Sequence, residues 1–147
     1  MQHDTGINAV AHAIQLAVAP VFLLSGIGAM LAVLTNRLSR IIDRGRALDS
    51  PGATRSPDAA ASVRAELIAL SRRARLISHA ITFCTVTALL VCAVIATLFV
   101  GAFGGFDAAV PVALLFVAAM VAFFAGLLSF LREIFIATAN LRIGPHR

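Results

Sequence analysis

Three long apolar stretches constrain this chain more than anything else in it. They run from about Ile14 to Leu34, from Ala80 to Val100 and from Ala108 to Leu131. None contains a charged residue, and Gln15 is the most polar side chain in any of them. An α-helix rises about 1.5 Å per residue, so roughly 20 residues cross the hydrocarbon core of a bilayer. The sequence therefore predicts an all-α integral membrane protein with three transmembrane helices, a single membrane domain over residues 1–147. Hydrophobic residues make up 60% of the chain and charged residues only 13%, a balance that excludes an ordinary soluble domain.

Orientation follows from the arginines, which are the only strongly basic residues, since the chain has no lysine. The all-arginine usage is read as coding bias before any need for bidentate hydrogen bonding. Arg37, Arg40, Arg44, Arg46, Arg55, Arg64, Arg72, Arg73 and Arg75 lie between the first two stretches, and Arg132, Arg142 and Arg147 follow the third. The N-terminal tail and the Gly101–Asp107 loop carry only Asp4 and Asp107. The positive-inside rule places the N-terminus outside and both the central segment and the C-terminus in the cytoplasm. The tail lacks the basic n-region of a signal peptide, and no apolar run long enough precedes Ala17-Val18-Ala19. The first stretch is expected to be a retained helix.

The segment at 35–79 is the one region of mixed polarity. Leu38, Ile41, Ile42, Gly45 and Leu48 continue the helical spacing of the first stretch, which should end near Asp49 before the breaker Ser50-Pro51-Gly52. Ser56-Pro57-Asp58 has the character of a helix start. From there Val63, Leu67, Leu70, Ala74 and Ile77 alternate at four and three, a short heptad seam. The second helix should run unbroken from about Pro57 to Val100, roughly 65 Å long, twice the hydrocarbon thickness. The first two helices are thus expected to form an antiparallel hairpin projecting into the cytoplasm. Asp43, Asp49 and Glu66 are available to pair with its arginines. The arginines nearest the membrane should attract anionic lipid headgroups. Nucleic-acid binding is set aside, because no aromatic residues interleave the basic ones.

Four features could do more than pack. Pro20 with Ser25, Gly26 and Gly28 could form a hinge or a pore-lining bend, against the preferred reading of close helix packing. Ser78, Thr82, Thr85 and Cys92 share one face of the second helix and could line a wet path. Such stripes are more common at dry helix interfaces, where hydroxyls bond carbonyls one turn back. Ala118, Ala122 and Gly126 form a small-residue series suited to close helix contact. At the inner boundary stand Asn36, Arg37, Arg75, His79 and Glu133, together with Arg132 and Asn140. Glu133 needs a partner if partly desolvated, and Arg37 and Arg75 are the candidates. A structural clamp is preferred there over a cation or proton site. His12 and Gln15 pose a lesser version of the same question at the outer end of the first stretch.

Nothing assembles a catalytic site. Cys84 and Cys92 lie about 12 Å apart along one helix and cannot bridge each other within it. His3, His12, His79 and His146 are scattered, and no phosphate loop, nucleophile elbow or zinc motif occurs. The expectation is a protein that is not an enzyme and takes no metal or cofactor.

The stretch IQLAVAPVFLLSGIGAMLAVLTNRLSRIIDRGRAL, Ile14 to Leu48, resembles the opening signature of a family of small bacterial inner-membrane proteins. That family is a domain of unknown function with three predicted spans. Pro20, Gly26, Asn36-Arg37-Leu38, Arg40, Asp43 and Arg44 carry the likeness. It continues through Glu66–Arg75 and the LREIFIATANLRIG ending, over roughly residues 8 to 144. The resemblance implies bacterial origin and a plasma-membrane location, and supplies no activity, substrate or catalytic residue. Two functions stay open: a homo-oligomeric channel or transport-related pore, which is preferred, and a membrane scaffold or interaction protein acting through its basic hairpin.

Overall fold

A computed structural model describes residues 2–49, 57–104 and 107–139. It contains three helices, α1 (Gln2–Leu48), α2 (Pro57–Gly104) and α3 (Ala109–Ala139), and no strand among the described residues. All three are long and apolar enough to cross a membrane. The protein is a multi-pass membrane protein. The breaker Ser50-Pro51-Gly52, the cap residue Ser56, Asn140 and His146 lie outside the described residues.

The helix ends follow local chemistry. Helix α1 closes with the amide of Asp49 donating to the Gly45 carbonyl at 3.1 Å, immediately before the Ser-Pro-Gly breaker in the sequence. Its start at Gln2 comes twelve residues before the apolar stretch, so the polar tail is helical rather than a separate strand of coil. Pro20 does not break α1, which runs through it as one helix with the ring buried. Helix α2 continues past Val100 and through Gly101 to Gly104, four residues further than expected. Helix α3 is capped by Asp107, whose Oδ1 accepts from the Ala109 amide at 2.9 Å. Pro111 sits in its first turn, where a missing N–H breaks no helical bond.

The chain divides into two compact units: Met1–Leu31 with Phe83–Phe124, and Ala32–Thr82 with Ala125–Arg147. The division separates the charges cleanly. The second unit holds all twelve arginines and five acidic residues, a formal +7, while the first holds only Asp4 and Asp107, a formal −2, giving the chain's +5.

In the first unit Ala13, Ala17 and Ile27 of α1, Cys84, Val91 and Val94 of α2, and Ala119 of α3 are buried. In the second, the buried positions are Leu34 and Ile41, Ile77 and Ala80, and Gly126 and Glu133. The spacing is regular. Along α1, Ala13, Pro20, Ile27, Leu34 and Ile41 recur every seven residues, as do Ile77, Cys84 and Val91 on α2 and Ala119, Gly126 and Glu133 on α3. A strict period of seven keeps one seam of a helix against its neighbours through knobs-into-holes packing. The buried seam alternates small residues with Ile, Leu and Val, while large side chains face outward as well: on α3, Val110, Leu114, Val117, Val121 and Phe124 are each at least 60% exposed. Water would make that face an aggregation site, whereas hydrocarbon solvates it and leaves close backbone approach to hold the helices together.

Candidate functional site

The site belongs to the second unit and is dictated by helix phase. Glu133 lies seven residues after Gly126 on the packed seam of α3, so its carboxylate is carried inward and is fully buried. A buried carboxylate without a countercharge costs several kcal/mol, about the stability margin of a small domain. Two arginines supply the countercharge. Arg37 Nη1 donates to Glu133 Oε2 at 2.6 Å, and Arg73 donates to Oε1 from Nη2 at 2.9 Å and from Nε at 3.2 Å. Both carboxylate oxygens are thereby satisfied by charge-assisted bonds.

Each arginine is placed by its own helix. Arg73 stands four residues before Ile77 and seven before Ala80, on the buried face of α2. Arg37 flanks buried Leu34 on α1, and its guanidinium lies 5.2 Å from the centroid of the Phe130 ring. Phe130 precedes Glu133 by three residues, so α3 presents an aromatic face and a carboxylate to the same cation. One residue from each helix meets at the carboxylate. Further out, Arg44 bridges Glu66 at 2.9 Å, with both side chains well exposed, which contributes only about 0–1 kcal/mol.

The inner-boundary reading needs one correction. Arg37 does hold Glu133, but Arg75 does not: it is exposed, and the second partner is Arg73. The reason is geometric. Arg75 is two positions past Arg73, about 200° around an α-helix, and points away from the seam. His79 is exposed too, its Nδ1 donating to the Arg75 carbonyl at 2.6 Å. Asn36 is exposed on α1. The sequence did carry a signal for Arg73, since it falls one helical turn after half-buried Leu70 on the extended seam.

The remaining candidates divide by face. Ser78, Thr82, Thr85 and Cys92 are all exposed along α2, and Thr82 donates to the Ser78 carbonyl at 3.0 Å. The hydroxyl buried in α2 is Thr87, which donates to the Phe83 carbonyl at 2.8 Å. Gly26 and Gly28 are exposed, and a Cβ on either would meet nothing within 4 Å, so neither is needed for packing within the protomer. In the small-residue series Ala118 is exposed and Ala122 half-buried; the buried positions are Ala119 and Gly126. His12 and Gln15 are exposed on α1. Among the described residues no three His, Cys, Asp or Glu side chains cluster as a metal site, and no buried side-chain N or O lacks a hydrogen-bond partner.

Three helices long and apolar enough to cross a membrane, with one buried carboxylate held by two arginines in the second unit, define a multi-pass membrane protein. The chain belongs to DUF2721, a family of proteins of unknown function, whose profile matches residues 17–143. No curated protein and no solved structure matches it.

Proposed function

We propose that this is a bacterial plasma-membrane interaction module, with its N-terminus outside, its C-terminus in the cytoplasm and its arginine-rich unit at the inner face. In this reading the second unit is a basic platform, and α1 and α2 extend beyond the membrane to carry it as a hairpin. The observation that supports the reading is the clamp. Glu133, the one buried carboxylate among the described residues, is fully engaged by Arg37 and Arg73. The clamp is therefore a joint rather than a vacant ion site. Arg40, Arg46, Arg64, Arg72, Arg75 and Arg132 are exposed around it, on a unit with formal charge +7. Such a surface attracts anionic headgroups or an acidic partner.

A homo-oligomeric pore is the second reading, favoured by the exposed Ser78, Thr82, Thr85 and Cys92 stripe and by the open space at Gly26 and Gly28. Those glycines would let α1 approach another copy closely. Flux separates the two. Reconstituted in liposomes with a potassium gradient and a proton-sensitive dye, the protein should conduct no faster than protein-free vesicles. Flux that scales with protein and falls in Thr82→Val or Thr85→Val variants would overturn the interaction reading in favour of the pore.

A further inference from the structure

Beside the clamp, the second unit has a groove of about 660 Å³ between α2 and α3. Arg72, Arg75 and His79 line it from α2, where their spacing of three and four puts them on one face, and Arg132 lines it from α3. Leu76 and Ile136 contribute apolar wall. No carboxylate lines this groove. The three guanidiniums differ from those of Arg37, Arg73 and Arg44: none has an ion-pair partner among the described residues.

The depth of the groove identifies its occupant. His79 immediately precedes the apolar stretch that opens at Ala80, and Arg132 immediately follows the one that closes at Leu131. On both helices the basic residue stands at the last step before hydrocarbon, the level of phosphate and glycerol in a bilayer. A ligand there meets guanidiniums within the groove and hydrocarbon one residue beyond it, at Ala80 and Leu131. A phosphodiester with attached acyl chains has that division of polarity, and a soluble anion does not.

We propose that this groove binds one anionic glycerophospholipid, its phosphate held by Arg72, Arg75 and Arg132 and its acyl chains running past His79 into the hydrocarbon level that opens at Ala80 and Leu131. The proposal deepens the interaction reading above by naming a ligand, and it rests on the arginine-rich unit lying at a membrane surface. Guanidinium groups suit the ligand because they donate to phosphate oxygens in pairs. The site makes the anionic lipid a fitted component of the protein rather than a diffuse counterion.

Native mass spectrometry of the protein released from nanodiscs of phosphatidylcholine with a minority of phosphatidylglycerol tests this. The expected result is one phosphatidylglycerol retained per protomer over phosphatidylcholine. Removing three basic groups at a charged surface, as Arg72→Gln/Arg75→Gln/Arg132→Gln does, should weaken retention about 100-fold. The control Arg40→Gln/Arg46→Gln/Arg64→Gln removes the same charge from the basic surface outside the groove and should weaken retention only several-fold. Equal loss in the two variants would overturn the proposal in favour of a general field effect. Displacement of the lipid by millimolar inorganic phosphate would overturn it in favour of a free-anion site. Photo-crosslinking with a photoactivatable phosphatidylglycerol covers the case where the triple variant misfolds: adducts on the wild type at 67–79 or 132–136 support the groove, and adducts confined elsewhere contradict it. Retention reports the groove whichever way the chain is inserted, so it can fail or hold independently of the proposed orientation.

Discussion

Glu133→Gln should lower stability by about 3 kcal/mol, the low end of the range for removing one partner from a buried ion pair. Gln keeps the shape and one acceptor oxygen but removes the charge, leaving Arg37 and Arg73 facing each other across a neutral amide. The low end applies because the arginine side chains remain 39% and 27% exposed, and solvent screens part of the repulsion. Replacing all three groups by Leu should be far milder, close to neutral, because no uncompensated charge is then left behind. Unfolding in mixed micelles with increasing sodium dodecyl sulfate, followed by circular dichroism, measures both. If the triple replacement is as damaging as Glu133→Gln, the clamp contributes through shape and packing, and the charge argument fails. A Glu133→Gln protein as stable as the wild type would show that the carboxylate is not carrying the joint at all.

The second large effect is expected at Ala80, whose side chain is fully buried in the second unit. Helices held by close approach tolerate little added bulk, and Ala80→Leu inserts three carbons into a seam with no room for them. A loss of about 2–3 kcal/mol follows from overpacking of this kind. Ala96 lies on the exposed side of the same helix, so Ala96→Leu should leave stability nearly unchanged. The same unfolding measurement compares them. Equal effects at the two positions would contradict the assignment of the α2 seam.

Much of this architecture is legible in the residues because the bilayer imposes simple rules. Runs without charge as long as Ala80–Val100 have few alternatives to a spanning helix. The continuation of α1 to Leu48 follows from apolar residues at three- and four-residue intervals. Phase was harder to read. The seam traced through Leu70, Ala74 and Ile77 places the inward position at Ala74, whereas the structure turns Arg73 beside it toward Glu133. Only the matching burial of Glu133 on α3 makes that position reasonable. Alanine-rich helices pose a related difficulty: Ala118–Ala122–Gly126 and Ala119–Gly126 are both small-residue series, and composition does not say which faces inward. Partners of the exposed faces are further from reach, since Gly26 and Gly28 sit where a Cβ would meet nothing within 4 Å. The groove with Arg72, Arg75 and Arg132 was hidden for a different reason. It is built from two helices more than fifty residues apart, which become one surface only on folding.

In the proposed topology, three spans place the arginine-rich unit at the inner face of the membrane. Single cysteines at Asp49 and Asp107, introduced into a Cys84→Ala/Cys92→Ala background, test it with a membrane-impermeant maleimide. Both positions are exposed at helix ends. In intact bacterial cells the Asp107→Cys protein should label, and the Asp49→Cys protein should label only after the membrane is permeabilised. Labelling of Asp49→Cys in intact cells, with Asp107→Cys protected or equally reactive, would contradict the account.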